Sequence, residues 1–531
     1  MNPEPHSPQP AGQILPFRES LLAMLGVAFV VMLVALDQTV VGTALPTVVA
    51  ELQGFEYYAW VATAYLLTSV ITVPLFGRLG DYYGRKPFVL ASIVVFSVAS
   101  ALCGMAPNMP FLVAARALQG IGGGMLVGTA FACIADLFPD SHVRLRWQVM
   151  LSAAFGIANA VGPSLGGLLT EWYGWRAVFY VNLPVGVLGL WFAWRYLPHL
   201  RQQAHRGPIR VDWLGALLIA LGLGSLQMSV ELLPARGLDP YTAGLLVLAA
   251  VALVALWQWE RRCANPILPV EMFRDPGLAP LFKLSVFAGF TMFALLLYAP
   301  LLFQGGFGYS PKEAGVLITP LVVCITVGSI LNGRIVTRIR RPNTMLYAGF
   351  GMLALSCLGL SQATRGMPHG VLMVIMLVGG LGLGFIMPNL TVFAQQTAGR
   401  EHLGIATAML QSLRMVGGMV GTAIVGTLVT RNYTGGVEQA LSGANAVQWA
   451  SRMADPQVLI DKASQLALLS QLQQAGHNGA LLLEQARVSL VGSIHLGLLV
   501  AGAAAALGVW CARQVPSIKL TRSPAPAMAA E

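Results

Sequence analysis

The sequence predicts an all-α polytopic membrane protein, and three observations lead to that fold class. Of the 531 residues, 56% are hydrophobic and 10% are charged, and the mean hydropathy is +0.69. Apolar runs of about 18 to 25 residues recur along the chain, each long enough to cross roughly 30 Å of hydrocarbon as a helix. The runs are continuous, whereas a transmembrane β-barrel shows short segments of alternating hydrophobicity. This composition is atypical of a soluble enzyme.

The apolar runs predict about fourteen transmembrane helices in sequence order. We place them near 21–49, 57–76, 88–106, 110–133, 148–170, 177–195, 212–232, 241–259, 283–304, 313–332, 344–362, 370–393, 404–429 and 488–511.

An internal similarity indicates two related halves. The basic stretch GRLGDYYGRKP, Gly77–Pro87, follows the second span, and GRIVTRIRRP, Gly333–Pro342, follows the tenth. Transporters built from repeated bundles show this kind of recurrence. We therefore expect six-helix bundles at 1–200 and 276–531, with two inserted helices in a linker region at 201–275.

The distribution of Lys and Arg predicts the orientation in the membrane. An even number of spans puts both termini on one side, and about 22 of the 32 Lys and Arg residues lie in loops or tails on that side. We therefore expect both termini to be cytoplasmic and the protein to lie in the inner (cytoplasmic) membrane. The net charge of +10 then reflects topology, so nucleic acid is not an expected partner.

The polar, Gln-rich segment 430–487 is predicted to form a long outer loop of the second bundle. Within it, four small or apolar residues roughly follow one helical face: Leu459, Ala463, Leu466 and Leu469. An amphipathic helix here is a candidate for contact with a periplasmic adaptor and an outer-membrane channel. The alternative is a helix that lies on its own protein or on the membrane surface.

Asp37 is the first candidate site residue, because it lies near the middle of the first span. An ionised carboxylate there costs about 2.5–3.5 kcal/mol on insertion scales, so it should face a cavity. Arg116 lies roughly 10 Å into the fourth span and can reach the same depth. Alternating exposure would let Asp37 bind and release a proton, whereas the alternative is a structural hydrogen-bonding role. Gln119 either joins this polar cluster, and with it the substrate cavity, or packs between helices.

The stretch Gly77–Pro87 is a candidate gating loop. Gly77 and Gly84 permit tight turns, and Asp81 can accept hydrogen bonds at the N-terminus of a neighbouring helix while pairing with Arg85. Such a contact can break and re-form. The basic residues Arg85 and Lys86 also enforce orientation, which is the alternative explanation for them.

Arg414 lies near the midplane of the thirteenth span, with Gln411 one turn earlier on the same face. Both residues are candidates for lining a substrate cavity. The spans then hold one acid, Asp37, against two bases, Arg116 and Arg414. This excess predicts a preference for neutral or acidic lipophiles over dications. The alternative is that Arg414 points into a helix interface and is satisfied by Gln411 or backbone carbonyls.

Four further stretches complete a set of motifs: LDQTVVGTALP at Leu36–Pro46, RALQGIGGG at Arg116–Gly124, AVGPSLGG at Ala160–Gly167 and WRAVFYVNLPVG at Trp175–Gly186. Together with the Gly77–Pro87 loop, they resemble the major facilitator superfamily. The resemblance is specifically to its fourteen-helix drug:proton antiporter family, which includes EmrB-like and QacA-like exporters.

The resemblance implies export of lipophilic compounds in exchange for protons. It implies that AVGPSLGG is the antiporter motif of the fifth helix, whose small residues and proline form a pivot or seal at Gly162, Pro163, Gly166 and Gly167. Two positions depart from the family pattern, since Tyr82 stands where a basic residue is usual and Gly42 where Asn is usual.

The expected energy source is the proton gradient, with no cofactor and no enzymatic activity. Strings such as GIGGG lie inside apolar runs without the strand that precedes a nucleotide-binding turn. The six cysteines show no metal-ligand spacing, so no metal is expected. Lipophilic substrates and membrane lipids are the expected partners. The alternatives are a proton-coupled importer, which the antiporter-like motif disfavours, and a non-transporting receptor or scaffold.

Overall fold

The computed structural model describes residues 16–52, 57–138, 140–198, 212–263, 266–336, 338–399, 402–443, 446–454, 456–459 and 462–516. In these ranges all regular secondary structure is helical. The largest cluster of buried apolar side chains runs from Met272 to Val515, and two others lie between Ala23 and Leu197. The helices therefore pack as an N-terminal and a C-terminal bundle, each with its own core.

The N-terminal bundle is built from the first seven helices. They are α1 (Phe17–Leu52), α2 (Tyr58–Tyr83), α3 (Arg85–Gly104), α4 (Met109–Leu137), α5 (Ser141–Tyr173), α6 (Arg176–Tyr180) and α7 (Asn182–Tyr196). The predicted sixth span is thus two helices that meet at Val181. Asn108 begins α4 by accepting a hydrogen bond from the Phe111 backbone nitrogen at 2.9 Å.

Two inserted helices, α8 (Trp213–Arg236) and α9 (Pro240–Glu260), form a hairpin between the bundles in sequence. Asp212 caps α8 by accepting from the Gly215 backbone nitrogen at 2.8 Å, and it also accepts from Trp259 Nε1 at 2.9 Å. The cap therefore also ties the base of the hairpin together. The predicted bundle boundary at 200–201 lies outside the described residues.

The C-terminal bundle contains α10 (Leu278–Leu301), α11 (Pro311–Ile335), α12 (Thr344–Ser361), α13 (His369–Ala398), α14 (Leu403–Gly443) and α17 (Gly479–Ala512). A short π-helical turn, Leu302–Gly306, continues α10. The small helices α15 (Ala450–Met453) and α16 (Lys462–Gln474) lie between α14 and α17 in sequence.

The prediction of an all-α membrane protein with about fourteen spans is confirmed. Within the described ranges, 13 helical segments are long and apolar enough to cross a membrane, with α6 and α7 counted as one. The 33-residue α5 corresponds to the remaining predicted span at 148–170. At 1.5 Å per residue, a helix of this length extends about 50 Å, which exceeds the hydrocarbon thickness.

Two predictions about the segment 430–487 are wrong. The first is that the thirteenth span ends near 429, and the second is that Leu466 belongs to the apolar face of the outer helix. α14 continues to Gly443 rather than ending near 429, because buried Tyr433 and Val437 pack into the core there. In α16, Leu466 is 68% exposed, while Leu468 and Leu472 are buried.

The predicted α16 face was set from its own spacing, whereas the buried face is set by the start of α17, where Gly479 lies against Leu472. Of the other predicted positions, Leu459 is buried and Leu469 is partly buried, and the side chain of Ala463 lies outside the described set. Two residues of the predicted face, Leu459 and Leu469, therefore pack within the chain, and contact of this segment with a periplasmic adaptor stays a prediction.

The two bundles meet along α2 with α14 and along α5 with α11. α4 also packs against α14, where Ala132 and Ala135 contact Leu403. Where α5 meets α11, a Cβ added to Gly156 would lie 2.1 Å from Thr326 Oγ1, so the helices are closely packed there. The inserted helix α8 packs against both α2 and α14 and so covers the first contact.

Candidate transport site

The carboxylate of Asp37 lies inside the N-terminal bundle and forms an ion pair with Arg116. Arg116 Nη1 is 2.6 Å from Asp37 Oδ2, and the two side chains are 3% and 0% exposed. Because α1 carries the acid and α4 carries the base, the pair joins two helices. Each buried charge offsets part of the desolvation cost of the other.

Two amides complete the coordination of this carboxylate. Gln119 Nε2 donates to Asp37 Oδ1 at 2.8 Å, and Gln119 Oε1 accepts from Arg116 Nη1 at 2.7 Å. Asn182 Nδ2 donates to Asp37 Oδ1 at 3.1 Å and to Ser100 Oγ at 3.0 Å. We call these five residues the Asp37 cluster. It brings together four helices: α1, α3, α4 and α7.

Sequence reasoning missed Asn182 and Ser100. Both are buried, and the Ser100 hydroxyl donates to the Phe179 backbone oxygen at 2.9 Å. The available signal was an isolated polar residue inside an apolar run, at a depth similar to that of Arg116. Gln119, which was also a candidate for the substrate cavity, is fully buried in the cluster.

Close approach of α4 to α2 places Arg116. A Cβ added to Gly120 would lie 2.2 Å from the Tyr65 backbone oxygen, so only glycine fits at this contact. The guanidinium of Arg116 then lies 4.5 Å from the centre of the Tyr65 ring, and its Nε donates to the Val61 backbone oxygen at 3.1 Å. The glycine-rich part of RALQGIGGG therefore positions the charge that precedes it.

The hydrogen bonds of the Asp37 cluster depend on the charge of its carboxylate. The ionised carboxylate accepts from Arg116, Gln119 and Asn182, and charge-assisted hydrogen bonds are the stronger kind. Protonation would remove the charge that Arg116 pairs with and would turn Asp37 into a donor. Asn182 Oδ1 is a buried acceptor without a hydrogen-bond partner, so an alternative acceptor is already nearby.

Asp81 connects the two bundles near the C-terminal end of α2, whereas Arg116 contacts the start of that helix at Val61 and Tyr65. Its Oδ1 accepts from the Gly404 backbone nitrogen at 2.7 Å, and its Oδ2 accepts from the Ile405 backbone nitrogen at 2.8 Å. These nitrogens belong to the first turn of α14, where backbone donors are free and the helix dipole favours an anion. Arg85 Nη2 lies 2.6 Å from the same carboxylate.

The predicted loop is helical on both sides of Gly84, so the expected tight turn at Gly77 is wrong and Gly77 lies inside α2. The neighbouring residues support the Asp81 contact. Gly84 has a φ of +86°, a left-handed conformation that favours glycine, and it separates α2 from α3. Arg85 also pairs with Asp136 of α4, and Lys86 Nζ donates to the Trp194 backbone oxygen at 2.7 Å. Tyr82 packs under the guanidinium of Arg78, which lies 4.4 Å from the ring centre.

Glycines bring the bundles into contact beside Asp81. A Cβ added to Gly77 would lie 2.2 Å from Ala408 Cβ, and a Cβ added to Gly404 would lie 2.3 Å from Asp81 Oδ1. A second polar connection was not predicted. Gln395 of α13 donates to the Phe131 backbone oxygen of α4 at 3.2 Å, across the interface.

The small residues of α5 do not all have the predicted packing role. A Cβ added to Gly162 would lie 1.9 Å from Thr39 Oγ1 of α1, so α5 and α1 are in close contact there. Gly166 is buried, and its backbone oxygen accepts from the Thr170 hydroxyl at 2.7 Å. Gly167 is exposed and faces open space, which contradicts a packing role for it. The side chain of Pro163 lies outside the described set.

Arg414 and Gln411 lie in the C-terminal bundle, on α14, and do not contribute to the Asp37 cluster. Arg414 Nη1 is 3.1 Å from the Met387 sulfur of α13. The side-chain oxygen of Gln411 is buried without a hydrogen-bond partner. Among the described residues, no group of three His, Cys, Asp or Glu side chains could hold a metal ion.

Two bundles of membrane-length helices, joined by polar contacts at Asp81 and Gln395, are the architecture of a polytopic membrane transporter. The chain belongs to the Major Facilitator Superfamily, whose sequence model matches residues 27–422. The resemblance inferred from the motifs is therefore confirmed.

Curated relatives cover most of the chain. It is 35% identical to the multidrug transporter protein MdtP of Bacillus subtilis (strain 168), over 77% of this chain and 75% of that protein. It is 33% identical to multidrug resistance protein 3 of the same organism, over 82% and 85% of the two chains. It is 30% identical to the tetracenomycin C resistance and export protein of Streptomyces glaucescens, over 91% and 89%.

Solved structures show the same fold. The human organic anion transporter MFSD10 (TETRAN) superposes with a TM-score of 0.55 at 18% identity, covering 84% of this chain and 100% of that one. The proton:xylose symporter XylE superposes with a TM-score of 0.56 at 15% identity, covering 93% and 96%. At these identities the likeness concerns the fold alone.

Proposed function

We propose that this protein is a proton-coupled exporter of lipophilic compounds in the cytoplasmic membrane. The two bundles rock around a central cavity and expose it alternately to either side. The proton gradient drives the cycle, without a cofactor or ATP. The observation that carries the proposal is the buried ion pair of Asp37 with Arg116.

The Asp37 cluster supports proton coupling because its hydrogen bonds depend on the charge of one carboxylate. A proton taken up from the outer side would release Arg116 and loosen α1 from α4. Release of that proton to the cytoplasm would restore the pair. The arrangement couples protonation to helix packing if the two states differ in access to Asp37.

The Asp81 contact supports alternating access. The distribution of Lys and Arg predicts that this end of α2 is cytoplasmic, so the described state is one in which the bundles meet at that side. Substrate loading from the cytoplasm then requires the Asp81 contact to break. A carboxylate that accepts from two backbone nitrogens is suited to a reversible contact, because water can accept from both nitrogens once the carboxylate leaves.

The relatives support export rather than import. Two of them are named for multidrug transport or resistance, and one is named for the resistance to and export of tetracenomycin C. A proton-coupled importer of the same fold is the alternative, and a receptor that moves no substrate is a second alternative.

Everted membrane vesicles test the proposal, since their cytoplasmic face points outward. With an acidic interior, an exporter concentrates a fluorescent lipophilic dye inside, whereas an importer does not and a receptor moves none. We expect gradient-driven accumulation by the wild type and background levels for Asp37→Asn. Glu51→Gln is the matched control, because Glu51 lies on the same helix and pairs with Arg176 but is half-exposed.

Accumulation by Asp37→Asn at the wild-type rate contradicts the role of Asp37. Accumulation by the wild type without a gradient contradicts proton coupling. Comparable amounts of both variants in the membrane, measured by immunoblot, show that the difference is one of activity.

A further inference from the structure

We propose that Arg414 binds the carboxylate of amphipathic substrates in the wall of the C-terminal bundle, with Gln411 as a second polar contact. The inference deepens the proposed function by naming the substrate class, and it rests on that function for its transport consequence. Nothing in the family membership assigns this site.

The depth of Arg414 makes its charge costly. It lies 11 residues after Leu403, the first residue of α14, and therefore about 17 Å along the helix. This distance is close to the midplane of a bilayer whose hydrocarbon is about 30 Å thick. Arginine stays protonated in proteins, so the cost is not relieved by loss of the proton.

Among the described residues, few acceptors or counter-charges offset the cost of burying the Arg414 guanidinium. The Met387 sulfur is the one acceptor that its guanidinium reaches there, and a thioether is a weak acceptor for a group with five N–H donors. Arg414 is not among the described arginines that pair with an acid, which include Arg85, Arg116 and Arg176. The alternative that Gln411 satisfies Arg414 is not what the geometry shows, since the Gln411 oxygen has no partner.

The position of α14 indicates that this charge faces the protein interior rather than lipid. All residues from Leu403 to Ala423 are described, and none of them is exposed, because other helices surround α14 at this depth. Arg414 is partly accessible and Gln411, three residues earlier on the same face, is 2% exposed. Arg414 is therefore mostly enclosed by helices and keeps a part that a ligand can reach.

Apolar groups lie beside the charge. A Cβ added to Gly418, one turn after Arg414, would lie 2.4 Å from the Phe293 ring of α10. The Phe293 side chain is 37% exposed, and the Met387 sulfur of α13 lies 3.1 Å from Arg414 Nη1. A guanidinium with an aromatic ring and a thioether nearby suits a ligand that has an anionic end and an apolar body.

The charges of the N-terminal bundle do not cancel that of Arg414. Asp37 and Arg116 neutralise each other within 2.6 Å. The remaining buried charge at midplane depth is positive, which opposes a dication and attracts a carboxylate. A planar guanidinium also binds a carboxylate through two parallel hydrogen bonds.

Binding measurements on the purified full-length protein in nanodiscs test the assignment without a proton gradient. The probes share one ring system: pyrenebutyric acid, the neutral pyrenebutanol and a pyrene amine. We expect the wild type to bind the acid about tenfold more tightly than the alcohol, as for one charge-assisted contact. In Arg414→Gln the acid should bind no better than the alcohol, and in Arg414→Lys part of the preference should return.

Arg431→Gln is the matched control, because Arg431 lies on the same helix and is exposed. Equal affinity of the wild type for acid and alcohol overturns the proposal, as does an unchanged preference in Arg414→Gln. Thermal unfolding of each variant shows whether it is folded, and Arg414→Lys keeps the test informative if Arg414→Gln is not.

An anionic phospholipid could supply the same chemistry. Nanodiscs with and without phosphatidylglycerol separate the two sources. If Arg414→Gln lowers retention of that lipid but leaves binding of the acid unchanged, the occupant is lipid and the substrate proposal is wrong. Because binding needs no gradient, failure of the vesicle assay with the acid preference intact would count against proton-coupled export and not against this site.

Discussion

At the scale of single residues, the stability of a buried carboxylate depends on how many donors reach it. Asp37 has three donors, and two of them are amides: Gln119, which the sequence analysis named as a candidate, and Asn182, which it missed. Asn182 also connects α7 to α1 and α3 through Asp37 and Ser100. Removing one donor leaves the others in place but leaves a buried acceptor without its partner. This lowers the free energy of unfolding more than the loss of an exposed hydrogen bond does.

Asn182→Ala should lower the free energy of unfolding by roughly 1–3 kcal/mol, because Asp37 and Ser100 each lose a buried partner. Thermal unfolding of the purified protein in detergent measures this change. Gln474→Ala, at the exposed end of α16, is the control and should leave the unfolding temperature unchanged. Identical unfolding of the Asn182 variant and the wild type would show that its hydrogen bonds contribute nothing.

The sequence predicts some of these side-chain contacts and not others. Asp37 and Arg116 could be paired from their depths, because a charge inside an apolar run needs a partner. Asn182 is uncharged and carries no such requirement, so only the fold shows its contact. The Met387 contact of Arg414 joins two helices whose relative rotation the sequence does not specify.

At the scale of helices, α2 and α14 form the interface that the proposed transport cycle opens and closes. Asp81 holds it with two backbone hydrogen bonds, and Gly77 and Gly404 allow the approach. The pairing of Asp81 with a helix N-terminus follows from loop composition, but the identity of that helix does not. The buried face of α16 likewise could not be predicted from its own sequence, because packing against the start of α17 decides which leucines are buried.

Asp81→Asn should slow export while leaving substrate affinity within about twofold, because the contact biases the two conformations and does not line the cavity. Dye efflux rates and binding to purified protein measure the two quantities. Asp275→Asn is the matched control, since Asp275 also accepts from two backbone nitrogens but within one bundle. Loss of affinity without loss of rate would contradict this assignment.

Gly404→Ala should shift the protein towards the state that is open at the Asp81 end. The added Cβ would lie 2.3 Å from Asp81 Oδ1 and 2.7 Å from the Gly77 backbone oxygen, so the bundles cannot close fully. Distances between spin labels on the ends of α2 and α14 that lie beside Asp81 measure the shift. Gly435→Ala on the same helix meets no neighbouring atom and should leave the distances unchanged, and equal distances in both variants would rule out a tight interface.

At the scale of the whole molecule, the hydropathy of the sequence predicts the fold but does not predict how the two bundles contact each other. All fourteen predicted spans correspond to helices, because twenty apolar residues define a span wherever they occur. The way in which α8 covers the contact of α2 with α14 depends on long-range packing that no local pattern encodes. The chain thus holds the Asp37–Arg116 ion pair in one bundle, Arg414 on α14 in the other, and the Asp81 contact between them.

The most direct test of proton-coupled export through Asp37 is the proton movement that substrate drives. Purified protein is reconstituted in proteoliposomes with a pH-sensitive dye inside, and an outward substrate gradient is imposed with no pH gradient. For molecules whose cytoplasmic side faces the lumen, the account predicts that leaving substrate acidifies the interior, and that Asp37→Asn abolishes this while Glu51→Gln does not. Substrate exit without acidification, or acidification that persists in Asp37→Asn, would contradict it.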